Sequence, residues 1–196
     1  AMIDASPDWP TPHLVLTGPE GAGKTHLATV WAQLSGAEII AAQTLSADDV
    51  PRLAAAPCVI EDIPHIANDP GALEALFHLF NLAREQRQPI LMTGRGAPSH
   101  WSLDLADIQS RLQGTCHITL DPPEDMLLGV VLGKLFADRQ ITPKADVIPY
   151  LLGHMERSFA AAQSMVARLD KHSLDQGRKL TRRLAAELIG GGGKTG

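Results

Sequence analysis

Cysteine is scarce in this chain: Cys58 and Cys116 are the only two in 196 residues. Both fall in apolar runs, Cys58-Val59-Ile60 and Cys116-His117-Ile118, which reads as small core residues in a reducing compartment and excludes a disulfide framework. Aromatic residues make up 4%, and Trp9, Trp31 and Trp101 are too scattered for a base-stacking platform. No apolar stretch approaches the roughly 20 residues of a membrane span, and no basic segment followed by an apolar one opens the chain as a secretion signal would. A cytoplasmic protein without membrane partners is expected. Positive charge is not in excess either. With 17 Lys+Arg against 22 Asp+Glu the formal net charge is -5, so strong direct binding to a DNA phosphate backbone is not expected. The eight His are dispersed with no H-E-x-x-H and no C-x-x-C, which argues against a structural zinc site. A G-x-S-x-G nucleophile elbow is missing as well.

Hydrophobic residues at 44% and charged residues at 20% are ordinary for a folded chain, and the length suits one globular unit with an appended lobe. Leu14 to Thr17 reads as a strand that enters a Gly-rich loop, followed by the helical repeat Leu27, Val30, Trp31, Leu34, which Gly36 stops. Further strands are expected over 38–42, 58–63, 90–93 and 115–120, with helices over 48–55, 71–88 and 105–112 between them. Strands alternating with helices imply a five-stranded parallel sheet covered on both faces. After residue 120 only helical patterns remain. Asp121-Pro122-Pro123-Glu124 has the form of a cap followed by a first turn, and predicts a helix starting there with the stripe Leu128, Val131, Leu132, Leu135. Asp146 predicts a second cap with Pro149 in the first turn, Phe159 to Leu169 a longer helix, and Thr181 to Ile189 a last one. The division expected is an α/β unit over 1–121, a helical lobe over 122–189 and a Gly-rich mobile tail over 190–196.

The chemistry is concentrated in Gly18-Pro19-Glu20-Gly21-Ala22-Gly23-Lys24-Thr25, which satisfies G-x-x-x-x-G-K-[ST] in full between a strand and a helix. In such a loop glycines let backbone N–H groups converge on phosphate oxygens, Lys24 neutralises the β and γ charges, Thr25 ligates Mg²⁺ and the helix N-terminus adds its dipole. The nucleotide-binding set is Gly18, Gly21, Ala22, Gly23, Lys24, Thr25 and His26, with ATP or ADP and Mg²⁺ as the cofactors. A P-loop needs a carboxylate at a neighbouring strand end for the metal and a second to polarise the attacking water. Glu61 and Asp62 supply that pair, Glu61 for Mg²⁺ and Asp62 for the water. Thr93 ends the next strand, where a hydroxyl can feel the γ-phosphate; a strand-end Thr is also common without function. Arg111 and Arg157, on residue type alone, read as surface arginines.

In this order the pieces resemble the AAA+ ATPases, and within them the nucleotide-binding module of the DnaA replication-initiator family. Gly18 to Thr25 resembles Walker A, Cys58 to Ile63 Walker B, and Leu91-Met92-Thr93-Gly94 the sensor 1 strand. Asp107 to Leu112 is similar to the segment that ends in an arginine finger, and Met155 to Phe159 to the lid segment with its sensor 2 arginine. The resemblance implies that Arg111 acts in trans on a neighbouring subunit and that Arg157 contacts the chain's own nucleotide. It stops before the initiator's DNA-binding module, for which no room follows Ile189, and so is greatest to the Hda-type regulators of that family. Those bind ATP or ADP, dock on the sliding clamp through a short N-terminal motif and stimulate hydrolysis of initiator-bound ATP. The chain opens at Ala1 rather than Met, so the clamp motif is expected in residues upstream; Gln33-Leu34-Ser35 begins like one but closes a helix. Self-association through AAA+ units is a further implication. Arg95 stands where initiators have an acidic sensor, Asp107 where they carry an additional Arg, and Glu61 where they have Asp. These departures, with the Glu61-Asp62 order, predict slow intrinsic hydrolysis. A helicase-loader AAA+ ATPase and a P-loop small-molecule kinase are the alternatives, the first requiring single-stranded DNA or helicase contacts and the second an arginine-rich mobile lid.

Overall fold

The computed structural model describes residues 11–176 and 180–191 and divides the chain into two compact units, Ala1–Asp121 and Pro122–Gly196. In the first, β1 (His13–Thr17), β2 (Glu38–Ala41), β3 (Cys58–Glu61), β4 (Ile90–Gly94) and β5 (Cys116–Thr119) form one parallel sheet in the order β2-β3-β4-β1-β5. Every residue of the central strands β1 and β4 is buried, as a parallel strand covered on both faces requires. The edge strands are wetter: β2 is largely exposed and β5 alternates, which leaves Cys116 only half-buried where a core position was expected.

Helices α1 (Lys24–Ser35), α2 (Val50–Ala54), α3 (Pro70–Glu85) and α4 (Ala106–Gly114) cover the sheet. Period-two alternation sorts the strands' side chains. Leu14, Leu16, Val59 and Leu91 pack with Ala28, Trp31 and Ala32 of α1, while Val15, Ile60 and Met92 pack with α2, α3 and α4. Local signals place the helix starts. The Ser46–Asp49 capping box precedes α2, and Asp69 caps α3 by accepting the Ala72 N–H at 3.1 Å, with Pro70 in the first turn.

Several expected boundaries move, three of them for a local backbone reason. The strand expected to reach Ile63 ends at Glu61, because Asp62 takes up left-handed backbone (φ 58°, ψ 50°) and a 3-10 turn over Ile63–Ile66 follows. The helix expected over 71–88 ends at Glu85. Arg87 turns to φ 56°, and Gln88 is pushed away from helical backbone by Pro89. In the second unit α5 (Asp125–Asp138) begins after Glu124, which is its cap. Asp121 cannot serve as that cap, because Pro123 biases Pro122, which would be the first helical residue, towards extended backbone.

The second unit continues with α6 (Val147–His154), α7 (Phe159–Gln176) and α8 (Arg182–Gly191) around a core of Leu128, Leu132, Phe136, Val147, Leu151, Ala162, Val166 and Leu169. Asp146 is the cap position of α6, and Ser158 Oγ caps α7 by accepting the Ala161 N–H at 3.0 Å. Gly190 and Gly191 close α8 rather than opening a tail, and the rest of the expected tail lies outside the described residues.

Candidate nucleotide-binding site

Strands β1, β3 and β4 run parallel and end at one edge of the sheet. Leu16 pairs with Thr93, Thr17 with Gly94, and Ile60 with Met92. The loop after β1, the Glu61-Asp62 pair after β3 and Thr93 near the end of β4 therefore meet at the carboxyl edge, where open α/β sheets bind ligands.

Two loop positions require glycine. A Cβ on Gly18 would lie 2.6 Å from the Leu120 carbonyl oxygen, and Gly23, the cap residue of α1, sits at φ 98°. No side chain caps α1 and no acid occupies its first turn, so the amides there have no acceptor within the helix and point a positive dipole end along the loop. Lys24 is buried, and its Nζ donates to the Gly18 oxygen at 2.8 Å and the Pro19 oxygen at 2.7 Å. Burial lowers its affinity for a proton, the Asp62 carboxylate opposes that fall and the Arg95 guanidinium adds to it. An ammonium and uncapped amides on one short loop are the donor set that a polyphosphate needs. Ala22 is buried, while Thr25 and His26 are exposed at the start of α1.

Glu61 Oε1 is buried with no hydrogen-bond partner, an arrangement that costs free energy until a cation or donor meets it. Among the described residues no group of three or more His, Cys, Asp or Glu could hold a metal. A carboxylate such as Glu61 and a hydroxyl such as Thr25 are donors of the kind Mg²⁺ takes when it keeps waters and shares its shell with nucleotide phosphates instead of filling a protein cage. Next to it, the Asp62 N–H donates to Thr93 Oγ1 at 3.1 Å, so the two strand ends are tied together.

One contact at this edge has no counterpart in the sequence reading. Arg95 Nη1 lies 2.9 Å from Glu20 Oε2 and so bridges the end of β4 to the Gly18–Thr25 loop. The backbone under Arg95 is held by Trp101, whose Nε1 donates to the Arg95 oxygen at 2.8 Å and to the Gly96 oxygen at 3.1 Å. Gly94 makes room for that indole, since a Cβ there would collide with Trp101 Cζ2. Nothing in the spacing of Glu20 and Arg95 announces their pairing; it depends on the order of strands.

Arg111 is not brought to this edge. On α4 its Nη1 donates to Asn81 Oδ1, and its guanidinium lies 4.9 Å from the Phe77 ring centroid and 5.9 Å from that of Phe80, both on α3. It lines a cavity of about 410 Å³ with His13, Arg84 and Thr115. His13 opens β1 and Thr115 precedes β5, so this is the amino edge of the sheet, a strand length of roughly 13 Å from the loop. Arg157 belongs to the second unit, where its Nη2 pairs with Asp125 Oδ2 at 3.0 Å just ahead of α7.

Residues 131–186 match the family model of the Hda lid domain. Domain III of the Thermotoga maritima replication initiation protein DnaA is similar in structure, with a TM-score of 0.82 at 16% identity over 96% of this chain and 87% of that one. AMPPCP-bound DnaA from Aquifex aeolicus gives 0.67 at 16%, over 85% of this chain and 57% of that one. The Thermotoga maritima RuvB Holliday junction branch migration motor gives 0.72 at 15%, over 91% and 61%. The chain thus spans little more than half the length of the latter two. No curated protein sequence matches it.

Proposed function

We propose that the chain, similar in fold to domain III of DnaA and matching the Hda lid domain over residues 131–186, is a nucleotide-binding regulator of chromosomal replication initiation that promotes hydrolysis of initiator-bound ATP. The observation that carries this reading is the placement of Arg111. Its guanidinium is fixed by Asn81, Phe77 and Phe80 at the edge of the sheet opposite the chain's own P-loop, where it serves another subunit's phosphate rather than its own.

ATP or ADP occupies the Gly18–Thr25 loop. The α1 amides and the Lys24 ammonium bind phosphate oxygens, and Lys24 exchanges its loop carbonyls for them. Thr25 and Glu61 hold Mg²⁺, which supplies charge neutralisation across the phosphates. Asp62 orients the attacking water and Thr93 holds Asp62. Hydrolysis in this chain is slow, because a catalytic pair in the order Glu then Asp misplaces the metal ligand by about one methylene, and an error near 1 Å costs on the order of 10²-fold in rate. The partner is a DnaA-type initiator whose bound ATP receives Arg111 in trans. A guanidinium on a γ-phosphate contributes about 10³ to 10⁵ in rate. The sliding clamp and association with further AAA+ units complete the partners.

The test is single-turnover hydrolysis of initiator-bound ATP with clamp and DNA present. Arg111→Ala removes the stimulation and leaves this chain's own nucleotide affinity nearly unchanged; full stimulation by that variant overturns the mechanism. Lys24→Ala separately abolishes the stabilisation of about 2.7 kcal/mol that a ligand at a hundredfold excess over its Kd gives the parent.

A further inference from the structure

We propose that the cavity at the amino edge of the sheet binds a free hydrogenphosphate ion, its anionic oxygens on Arg84 and Arg111 and its hydroxyl on Nδ1 of His13. This site is separate from the Gly18–Thr25 loop at the opposite edge and does not depend on what that loop binds.

Three other cations of the first unit are engaged. Arg52 pairs with Glu38 and Asp49, Arg95 pairs with Glu20, and Lys24 donates to the Gly18 and Pro19 oxygens. Arg84 and Arg111 differ. Among the described residues neither pairs with a carboxylate, yet both line the cavity of about 410 Å³, whose wall contains no Asp or Glu. Arg111 gives one N–H to Asn81 Oδ1 and keeps the rest of its fork, while the Arg84 side chain is exposed. The neutral donors of the wall are already spent. Thr11 Oγ1 donates to the His13 oxygen at 2.7 Å, and Thr115 Oγ1 to the Arg111 oxygen at 2.8 Å. What remains is positive charge with guanidinium geometry and no counter-charge, the combination that takes oxyanions.

His13 decides which oxyanion. Its ring is part of the cavity wall, is 2% exposed and packs on Phe80 with centroids 4.3 Å apart. Nε2 lies 3.2 Å from the Phe80 oxygen. A carbonyl only accepts, so the ring proton is on Nε2 and Nδ1 carries a lone pair. That lone pair has no donor, and burial keeps the ring neutral by lowering its pKa to about 4. A buried acceptor without a donor costs free energy until one arrives. Sulfate, fully ionised at neutral pH, brings no proton and sets a second lone pair against Nδ1. Hydrogenphosphate has the same tetrahedral shape and brings both groups, anionic oxygens for the arginines and one O–H for the nitrogen.

The experiment follows the melting midpoint of the full chain at neutral pH as sodium phosphate or sodium sulfate replaces sodium chloride at constant ionic strength. Both anions stabilise folded proteins by exclusion from the surface, so the readout is the excess of phosphate over sulfate and its saturation with concentration. The parent should show a saturable excess. Arg84→Ala should weaken the apparent phosphate affinity about tenfold or more, the size of a lost hydrogen bond between charged groups. Arg84→Lys, which keeps the charge and loses the fork, should fall between parent and Ala. His13→Phe should respond to the two anions alike, because both arginines remain and the acceptor is gone. Lys24→Ala should keep the parental excess, which separates this cavity from the glycine loop. Equal responses to phosphate and sulfate in the parent, parental phosphate affinity in Arg84→Ala, or loss of the excess in Lys24→Ala would each overturn the proposal. Melting curves in chloride alone verify that every variant is folded, and the exposed Arg84 position decides the matter should His13→Phe fail to fold.

Discussion

The side-chain hydroxyl of Thr93 accepts the backbone N–H of Asp62 at 3.1 Å, joining the end of β4 to the first residue beyond β3. Asp62 stands at φ 58°, a region that costs an ordinary residue free energy and that asparagine and aspartate tolerate best. The Thr93 hydroxyl thus pins a turn that sets where the Asp62 carboxylate is carried.

Replacing that acceptor should cost more activity than stability. Thr93→Val keeps the shape and β-branching but leaves the Asp62 N–H without its partner, at about 1 kcal/mol. Urea midpoints should fall by that amount, and hydrolysis of ATP bound to this chain should fall further, because the turn no longer has a single geometry. Thr93→Ser restores the acceptor and should restore both. A Val variant that hydrolyses at the parental rate would separate Thr93 from the positioning of Asp62.

Glu61 predicts a metal-dependent effect. Its Oε1 is buried and unpartnered, so that oxygen is open to a cation. Glu61→Gln removes that charge at constant size, and the nucleotide-free protein should be no less stable than the parent. Its ATP affinity should become insensitive to Mg²⁺, whereas the parent should bind more tightly with Mg²⁺ than with a chelator present. Equal Mg²⁺ dependence in the two proteins would remove Glu61 from the metal site.

Local sequence signals carried much of this architecture and failed at identifiable points. The glycine loop between β1 and α1 was legible because eight consecutive residues carry it, and the capped starts of α2 and α3 because a cap and its helix are neighbours in sequence. The end of β3 was misread because the apolar run continues through Ile63 while the backbone turns at Asp62. The start of α5 was misread because the acid-Pro-Pro-Glu pattern imitates a cap, although the second proline denies the first a helical backbone. Arg95 with Glu20 and Arg111 with Asn81 were out of reach for a different reason: each pair is set by strand order and helix packing across 75 and 30 positions. No periodicity or spacing encodes such contacts.

His13 makes stability depend on pH. Its ring is buried at the start of β1, with Nε2 3.2 Å from the Phe80 oxygen and Nδ1 unpartnered. Burial lowers its pKa to about 4, against the carbonyls of Phe80 and Pro12, which favour the proton. The unfolded chain binds that proton near pH 6.5, so between about 6.5 and 4 the unfolded state holds more protons and stability falls as the pH is lowered. The loss is on the order of 3 kcal/mol over that window, and none of it accrues below pH 4. His13→Phe should be less sensitive to the change from pH 7.5 to pH 5, read from urea midpoints beside the parent. Identical pH dependence in both would mean that His13 is protonated in the folded protein.

Asn81 should govern the trans activity through Arg111. Asn81 Oδ1 accepts from Arg111 Nη1 while the Phe77 ring lies 4.9 Å beneath the guanidinium, so the long side chain is already ordered before any partner arrives. Without the amide, the partner complex must bear the entropy of fixing that side chain, about 1 to 2 kcal/mol. Asn81→Ala should therefore reduce stimulation of initiator-bound ATP hydrolysis about tenfold, through a partner-side rate and not through this chain's nucleotide affinity. Phe77→Leu keeps an apolar contact and loses only the ring's attraction, about 0.5 to 1 kcal/mol, so its effect should be smaller. Combining Asn81→Ala with Arg111→Ala should give no further loss beyond Arg111→Ala, since the amide acts only through the guanidinium. Parental stimulation by Asn81→Ala, or an added loss in the double variant, would show that Asn81 does not work by holding Arg111.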